Sequence, residues 1–542
     1  MSPSSTNARG AASVNRGLVM AVLGCCFLVV MMDNTILNVA LQTVQEDLKA
    51  SNSDLQWALD SYILFYAALM FSAGVLADVF GRRRVLLIGL AVFGVASAFA
   101  ALADSPGQLI LWRGVMGVGG AVVPPATLAI INEIFRKEER AKAIGTWSAL
   151  GGLSIALGPI IGGFLLSHFW WGSVFLVNVP VVVLCGVLML LVVPESCAAS
   201  RPSIDLPGVA LSVIGIGAVI YGVIRGGDTS NWTGSEVLGT IGGGLVLLTV
   251  FVWFERRLSA PALDVRLLTN KAFAAGTASL ALSFFAVTGG TFLMVFYIQG
   301  VRGYSPLELG YVLLPVAVGT VIAAIFSSTL ATRFGPRTVI VAGLLLLALS
   351  FVGQAFFDED TALWLYEADI ALSGAGLGLV MATSTTTTMA VVEPEKAGIG
   401  AGANNTLRQI GAALGVAVLG SVLANRYQDN LGDAAKGLPA PLNQNATDSL
   451  GSTLTVAQRL SETRDLPAQA RSGLPELIAE AKHAYIGAMH VGFGVGTAVL
   501  VAAALIGVFW LPSRVPAPGP ETDPEAEPPG APPGLAHSGA AS

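Results

Sequence analysis

Gly74-Val-Leu-Ala-Asp78-Val-Phe-Gly81-Arg82-Arg83-Arg84-Val85 stands between two long apolar runs, roughly 55–76 and 85–103. Each is about 20 residues long, the length that carries a helix across a ~30 Å hydrocarbon core. Three adjacent arginines hold the connection between them on the cytoplasmic side, by the bias of basic residues toward that face. Gly74 and Gly81 permit a tight turn and close helix approach. Asp78 is placed to pair with a loop arginine or to cap the helix that follows.

A fainter copy follows at Leu330-Ala331-Thr332-Arg333-Phe334-Gly335-Pro336-Arg337-Thr338-Val339. Leu76, Ala77, Phe80, Gly81, Arg83 and Val85 all recur in it, and it too separates two spanning runs. A loop repeated in this way marks a membrane protein built from two related halves, with a path between them.

The composition agrees. Of 542 residues, 54% are hydrophobic and 12% charged, against about 25% charged in soluble domains. Cys25, Cys26, Cys185 and Cys197 have no metal-like spacing and read as free thiols. The polar N-terminus precedes an apolar run with no cleavage site, so that run reads as a retained helix. There is no nucleotide loop and no metal cluster or catalytic-triad spacing. His168, His483, His490 and His537 are scattered. These observations argue against an enzyme or an ATP-driven pump and call for no cofactor, no metal and no nucleic-acid partner.

Fourteen apolar runs can be counted, at about 17–40, 55–77, 85–103, 109–131, 143–167, 172–193, 206–225, 235–255, 272–298, 307–330, 338–357, 362–389, 398–424 and 485–511. With the N-terminus inside, most loop Lys and Arg fall on the inner side. The short outer loops hold only Lys49, Arg302 and, at a helix end, Arg225, so both termini are expected in the cytoplasm. The predicted fold class is an all-α polytopic membrane protein of two six-helix bundles plus two inserted helices. Residues 1–16 form the N-terminus, 17–194 the first bundle, 195–260 the inserted pair and 261–511 the second bundle. The second bundle carries a long outer loop at 425–484, within which 474–484 reads as a short amphipathic helix. Residues 512–542 form a Pro/Glu-rich tail expected to be disordered.

Ionisable residues inside spanning runs are functional candidates by default. Asp33 lies roughly 10 Å below the outer end of the first run, and Asp60 and Arg113 lie at a similar depth in the second and fourth. Two carboxylates and a guanidinium in one layer could load and release a proton as the cation moves. A permanent structural ion pair is the other reading. Glu367 and Asp369 read as a solvated helix mouth. Arg408, with Asn404 and Asn405, sits near mid-membrane, where a substrate or gating role and a packing network are both open.

Gly158-Pro159-Ile-Ile-Gly162-Gly163 combines close-packing glycines with a bend, although a purely structural kink is also possible. Aromatics crowd the second run (Trp57, Tyr62, Phe65, Tyr66) and the ninth (Phe284, Phe285, Phe292, Phe296, Tyr297), and such faces either line a greasy pocket or simply pack.

These motifs carry a resemblance. The loop from Gly74 to Arg84 resembles the signature between helices 2 and 3 of the major facilitator superfamily. Arg113-Gly114-Val-Met-Gly117-Val-Gly119-Gly120 is similar to the family's motif B, and Gly158-Pro159-x-x-Gly162-Gly163 to the motif C of its antiporters. Asp33-Asn34-Thr35 to Leu41, Trp57-x-x-x-x-Tyr62 and Arg408-Gln409-x-Gly411 resemble the fourteen-helix drug:proton antiporters. The chain departs from them at Gln42, where a proline is usual, and at Thr332, where an aspartate is usual. The resemblance implies a monomeric exporter of hydrophobic or cationic drugs in the cell membrane, driven by the proton gradient. Asp33, Asp60 and Arg113 would couple protons, and Gly74, Asp78, Gly81, Arg82, Arg83 and Arg84 would form a conformational latch. Gly158, Pro159, Gly162 and Gly163 would form the antiporter motif. Asn38, Trp57, Tyr62, Phe292, Phe296, Asn405 and Arg408 would line the substrate path. A dedicated exporter of one endogenous metabolite is the alternative.

Overall fold

The computed structural model describes residues 15–50, 52–197, 206–229, 231–257, 269–393, 396–431, 450–451, 453–454, 457 and 468–513. Among them are fourteen helices long and apolar enough to cross a membrane, and no strand. Their membrane-spanning parts are α1 (Arg16–Leu37), α2 (Trp57–Phe80), α3 (Arg82–Ala101), α4 (Pro106–Ile134), α5 (Lys137–His168), α6 (Ser173–Val192), α7 (Pro207–Gly227) and α8 (Ser235–Glu255). The second half continues with α9 (Lys271–Val301), α10 (Leu307–Phe334), α11 (Pro336–Gln354), α12 (Leu363–Met389), α13 (Ala397–Leu431) and α14 (Leu474–Trp510).

Local chemistry sets the helix ends. Asn15 caps α1 by accepting the Leu18 N–H at 3.2 Å, and Ser105 followed by Pro106 opens α4. Gly81 and Gly335 hold the same place in the two copies of the arginine loop, with φ of 107° and 84°. A side chain is strained at such angles, so the turn itself explains why glycine recurs.

Several boundaries differ from expectation. The first helix does not stop near residue 40 but runs to Leu48, closed by Lys49 at φ 52°. Its polar last turns are still good helix formers beyond the apolar run. The fourth run is broken at 121–122, where Pro124 and Pro125 follow without N–H donors. A π-turn, Tyr297–Val301, ends α9. The segment 474–484 is no separate helix, because it continues into the 43-residue helix Ala468–Trp510. With α13 reaching Leu431, the loop expected over 425–484 is helical at both ends. Most of residues 432–467, together with 1–14 and 514–542, lies outside the described residues.

Two large apolar cores form, one mainly among α1–α6 with a few residues of α9, α12 and α13, and one among α9–α14. Between them lie seams of small residues. A Cβ on Gly74 of α2 would strike the Gly398 carbonyl of α13, and one on Gly145 of α5 would sit 2.7 Å from the Ala324 oxygen of α10. Glycine lets these backbones touch. The inserted pair lies along one seam and contacts both halves. Phe251 of α8 meets Phe71 of α2 edge-on at 6.0 Å, and Gly227 of α7 packs on Ala417 of α13. Trp232, just beyond α7, donates to Ser421 Oγ of α13 at 3.0 Å.

Candidate functional site

Inside the first bundle, Asp33 of α1 is fully buried and forms a direct ion pair with Arg113 of α4. The other Asp33 oxygen accepts from Asn178 Nδ2 of α6 at 2.9 Å. Asn178 also donates to Ser97 Oγ of α3 at 3.1 Å, and that hydroxyl donates to the Phe175 carbonyl at 2.8 Å. Arg113 Nε donates to the Ala58 carbonyl at 3.1 Å, and its guanidinium lies 4.4 Å from the Tyr62 ring centroid. Five helices, α1 to α4 and α6, thus contribute to one polar network in an apolar core, in which Asn178 Oδ1 is left without a partner, and each member's burial depends on the others.

The three-charge layer expected from sequence is therefore a pair plus a neighbour. Asp33 takes the arginine, while Asp60 is half-buried on α2, two residues beyond the carbonyl that Arg113 uses. Tyr62 is no open pocket wall. It is fully buried, stacked on Tyr66 at 5.4 Å, with its hydroxyl donating to Val30 O at 3.4 Å. Asn178 and Ser97 were missed. Their signal was a polar residue inside an apolar run, which only becomes informative once a charge is seen beside it.

The arginine loop forms a second polar centre. Asp78 is fully buried, pairs with Arg82 at 2.9 Å and accepts the Ile399 N–H at the start of α13 at 3.1 Å. Arg82 reaches Glu133 of α4 at 2.6 Å. Arg83 donates to Val193 O at 2.9 Å, and Arg84 faces Glu195 at 3.5 Å. The loop therefore ties α2, α4, the end of α6 and the opposite half's α13 together at one end of the molecule. Glu133, Glu195 and the Ile399 amide were not legible as its partners.

Helix α5 lies between the halves. Thr35 Oγ1 of α1 donates to Ser154 O at 3.2 Å, and a Cβ on Gly158 would collide with Thr35. Gly162 rests on Ile36, Gly163 on Leu307 of α10, and Gly310 of α10 on Pro159 and Ile160. Pro159 stays inside an unbroken helix.

Among the described residues, those expected along a path have separate surroundings. Trp57 lies 6.0 Å from Tyr221 of the inserted α7. Phe292 and Phe296 meet edge-on at 5.2 Å, with Phe296 exposed. Asn405 Nδ2 is used by the Ala401 carbonyl one turn back, at 2.9 Å. The Asn38 side chain lies outside the described residues. Arg408 is buried where α13 meets α2 and α9. Asp369 is not a solvated mouth, because it accepts from Ser350 Oγ at 2.8 Å and Gln354 Nε2 at 2.9 Å. Next to it, a cavity of about 40 Å³ inside the second bundle is lined by Gln354, Tyr366 and Ser373 among others. No cluster of three His, Cys, Asp or Glu suited to a metal occurs among the described residues.

Two related bundles, a repeated arginine loop and a polar pair in the first bundle are the parts of one known architecture. The Major Facilitator Superfamily profile matches residues 23–416. This chain belongs to the major facilitator superfamily. Its relatives include the multidrug resistance protein Stp of Mycobacterium tuberculosis, 32% identical with 93% of each chain covered. The multidrug efflux pump LfrA of Mycolicibacterium smegmatis is 34% identical, with 91% of this chain and 95% of that one covered. The tetracenomycin C resistance and export protein of Streptomyces glaucescens is 32% identical, with 89% of each covered. Among solved structures, the human organic anion transporter MFSD10 superposes with a TM-score of 0.58 at 14% identity, over 90% of this chain and 99% of that one. At that identity the likeness speaks for the fold alone. Members of this superfamily are transporters rather than enzymes, and this chain is a multi-pass membrane protein whose relatives carry small molecules.

Proposed function

We propose that this facilitator exports hydrophobic or cationic small molecules across the cell membrane in exchange for protons. The observation that carries the reading is the buried Asp33–Arg113 pair, in a chain about one-third identical to multidrug efflux proteins. A carboxylate held by Arg113 and Asn178 releases the arginine when it takes a proton, and re-forms the pair when it loses one. The proton enters from outside and leaves to the cytoplasm, while substrate moves the other way. By the positive-inside argument the Arg82–Arg84 end is cytoplasmic, and both termini with it. Asp78 bonded to the α13 amide, with Arg82 and Glu133, then latches the cytoplasmic side shut until the halves rock apart. The unit works as a monomer with no bound cofactor.

The test is ethidium efflux from energised cells, with and without an uncoupler, for the wild type, Asp33→Asn and Asp33→Glu. The expected result is uncoupler-sensitive efflux, lost in Asp33→Asn at normal membrane abundance and partly kept in Asp33→Glu. Efflux that survives Asp33→Asn but not Asp60→Asn would move the proton site to α2. A second reading, a dedicated exporter of one endogenous metabolite, is favoured by the relative named for tetracenomycin C export. Well-folded protein that moves no ethidium would support it.

A further inference from the structure

Arg408 is 3% exposed, in mid-helix on α13, facing both halves of the molecule. Its guanidinium carbon lies 4.7 Å from the centroid of Phe284 on α9. From the first half, the Tyr66 hydroxyl of α2 lies near the guanidinium and interacts with it, although no hydrogen bond of ordinary geometry joins the two. Arg408 Nε and Nη2 are also buried without a partner. The other buried arginines, Arg82 and Arg113, are both paired with carboxylates.

An unpaired buried guanidinium is costly, and the cation–π contact with Phe284 offsets only part of that cost. The two open nitrogens are not a random pair. Nε and Nη2 are the neighbouring N–H groups along one edge of the guanidinium, the edge that grips a carboxylate with two parallel hydrogen bonds. Phe284 offers a flat apolar face beside that fork, and Tyr66 offers one more hydroxyl. Close packing fixes the position, since α9 and α13 touch at Gly411–Ala281 and Gly415–Phe285.

We propose that the Nε–Nη2 edge of Arg408, with Phe284 and Tyr66, is a binding subsite for the anionic oxygens of an aromatic acid. This rests on the reading of the seam between halves as the transport path, and it deepens that reading by adding a substrate class. The pump takes flat acids and zwitterions as well as cations. Because Tyr66 and Arg408 belong to opposite halves, the subsite is complete only while α2 and α13 are together and comes apart as they separate.

The test is equilibrium binding to the purified full-length protein in lipid nanodiscs, which needs no proton gradient and is therefore independent of the efflux assay. The probes are anthracene-9-carboxylate, its neutral isostere anthracene-9-methanol, and ethidium. The wild type is expected to bind the acid at least tenfold more tightly than the alcohol. Arg408→Gln abolishes that preference and Arg408→Lys keeps a reduced one, while both variants keep the wild-type unfolding temperature to within a few degrees. Four results would overturn the proposal. One is equal binding of acid and alcohol by the wild type, and another is an acid preference that survives in Arg408→Gln. A third is loss of acid and ethidium together, which would make Arg408 a packing residue. The fourth is displacement of the acid by millimolar chloride, with benzoate binding as well as anthroate, which would make the site one for a small inorganic anion.

Discussion

Asp33 and Arg113 are each expensive to bury alone and tolerable only together, so their variants separate structure from function. Arg113→Ala leaves a fully buried carboxylate with Asn178 as its one side-chain donor among the described residues. It is expected to lower stability by about 3–5 kcal/mol, read as a fall in the unfolding temperature in detergent. The double variant Asp33→Asn/Arg113→Gln removes both charges and should regain much of that stability, while efflux stays absent. If the double variant pumps, the pair is structural and the proton rides elsewhere. Asp33 and Arg113 were legible because a charge in an apolar run stands out. Their partners were not, because Asn178 and Ser97 are ordinary polar residues until the helices that carry them converge.

At the scale of the helix, glycine positions decide how closely the halves approach. Gly158 faces Thr35 and Gly74 faces the Gly398 carbonyl, both without room for a methyl group. Gly158→Val should therefore cost about 1–3 kcal/mol through overpacking and slow transport, measured as initial efflux rate at matched abundance. Asp78→Asn acts differently. It weakens the bond to Arg82 and the acceptor for the Ile399 amide at a seam that must open and close. The expected outcome is folded protein with at least tenfold slower efflux, and unchanged rates would remove the latch role. The glycine-rich spacing was visible in the sequence, but which helix each glycine meets was not, because spacing along one helix says nothing about its neighbour.

Taken whole, the molecule is two cores joined along thin seams, with the inserted pair along one of them. Trp57, an attractive candidate for the substrate path, lies by Tyr221 of α7 instead. Trp57→Ala and Tyr221→Ala are each expected to change the apparent KM for ethidium by less than about twofold. Trp232→Ala removes the tie to Ser421 across the seam and should lower the unfolding temperature without altering which substrates compete. A shift in substrate preference in Trp57→Ala would return that residue to the path.

The sequence by itself determined the membrane class, the fourteen spans, the division into two related halves and the positions of the intramembrane charges. Each of these follows from run length, repeat or isolated polarity, and a bilayer enforces all three locally, because every segment must satisfy its own backbone and hide its own charge. Only the tertiary structure decided that Asp33 rather than Asp60 takes Arg113, that Asp78 reaches across to α13, that Asp369 is bonded inside its bundle, and that Arg408 stands with one edge open. Those outcomes depend on which faces meet between helices far apart in the chain, and helix rotation and depth of a residue or two reassign every partner. The same apolar surface covers all fourteen helices, so hydropathy cannot choose among such arrangements; small residues and buried polar groups do, once the helices are packed.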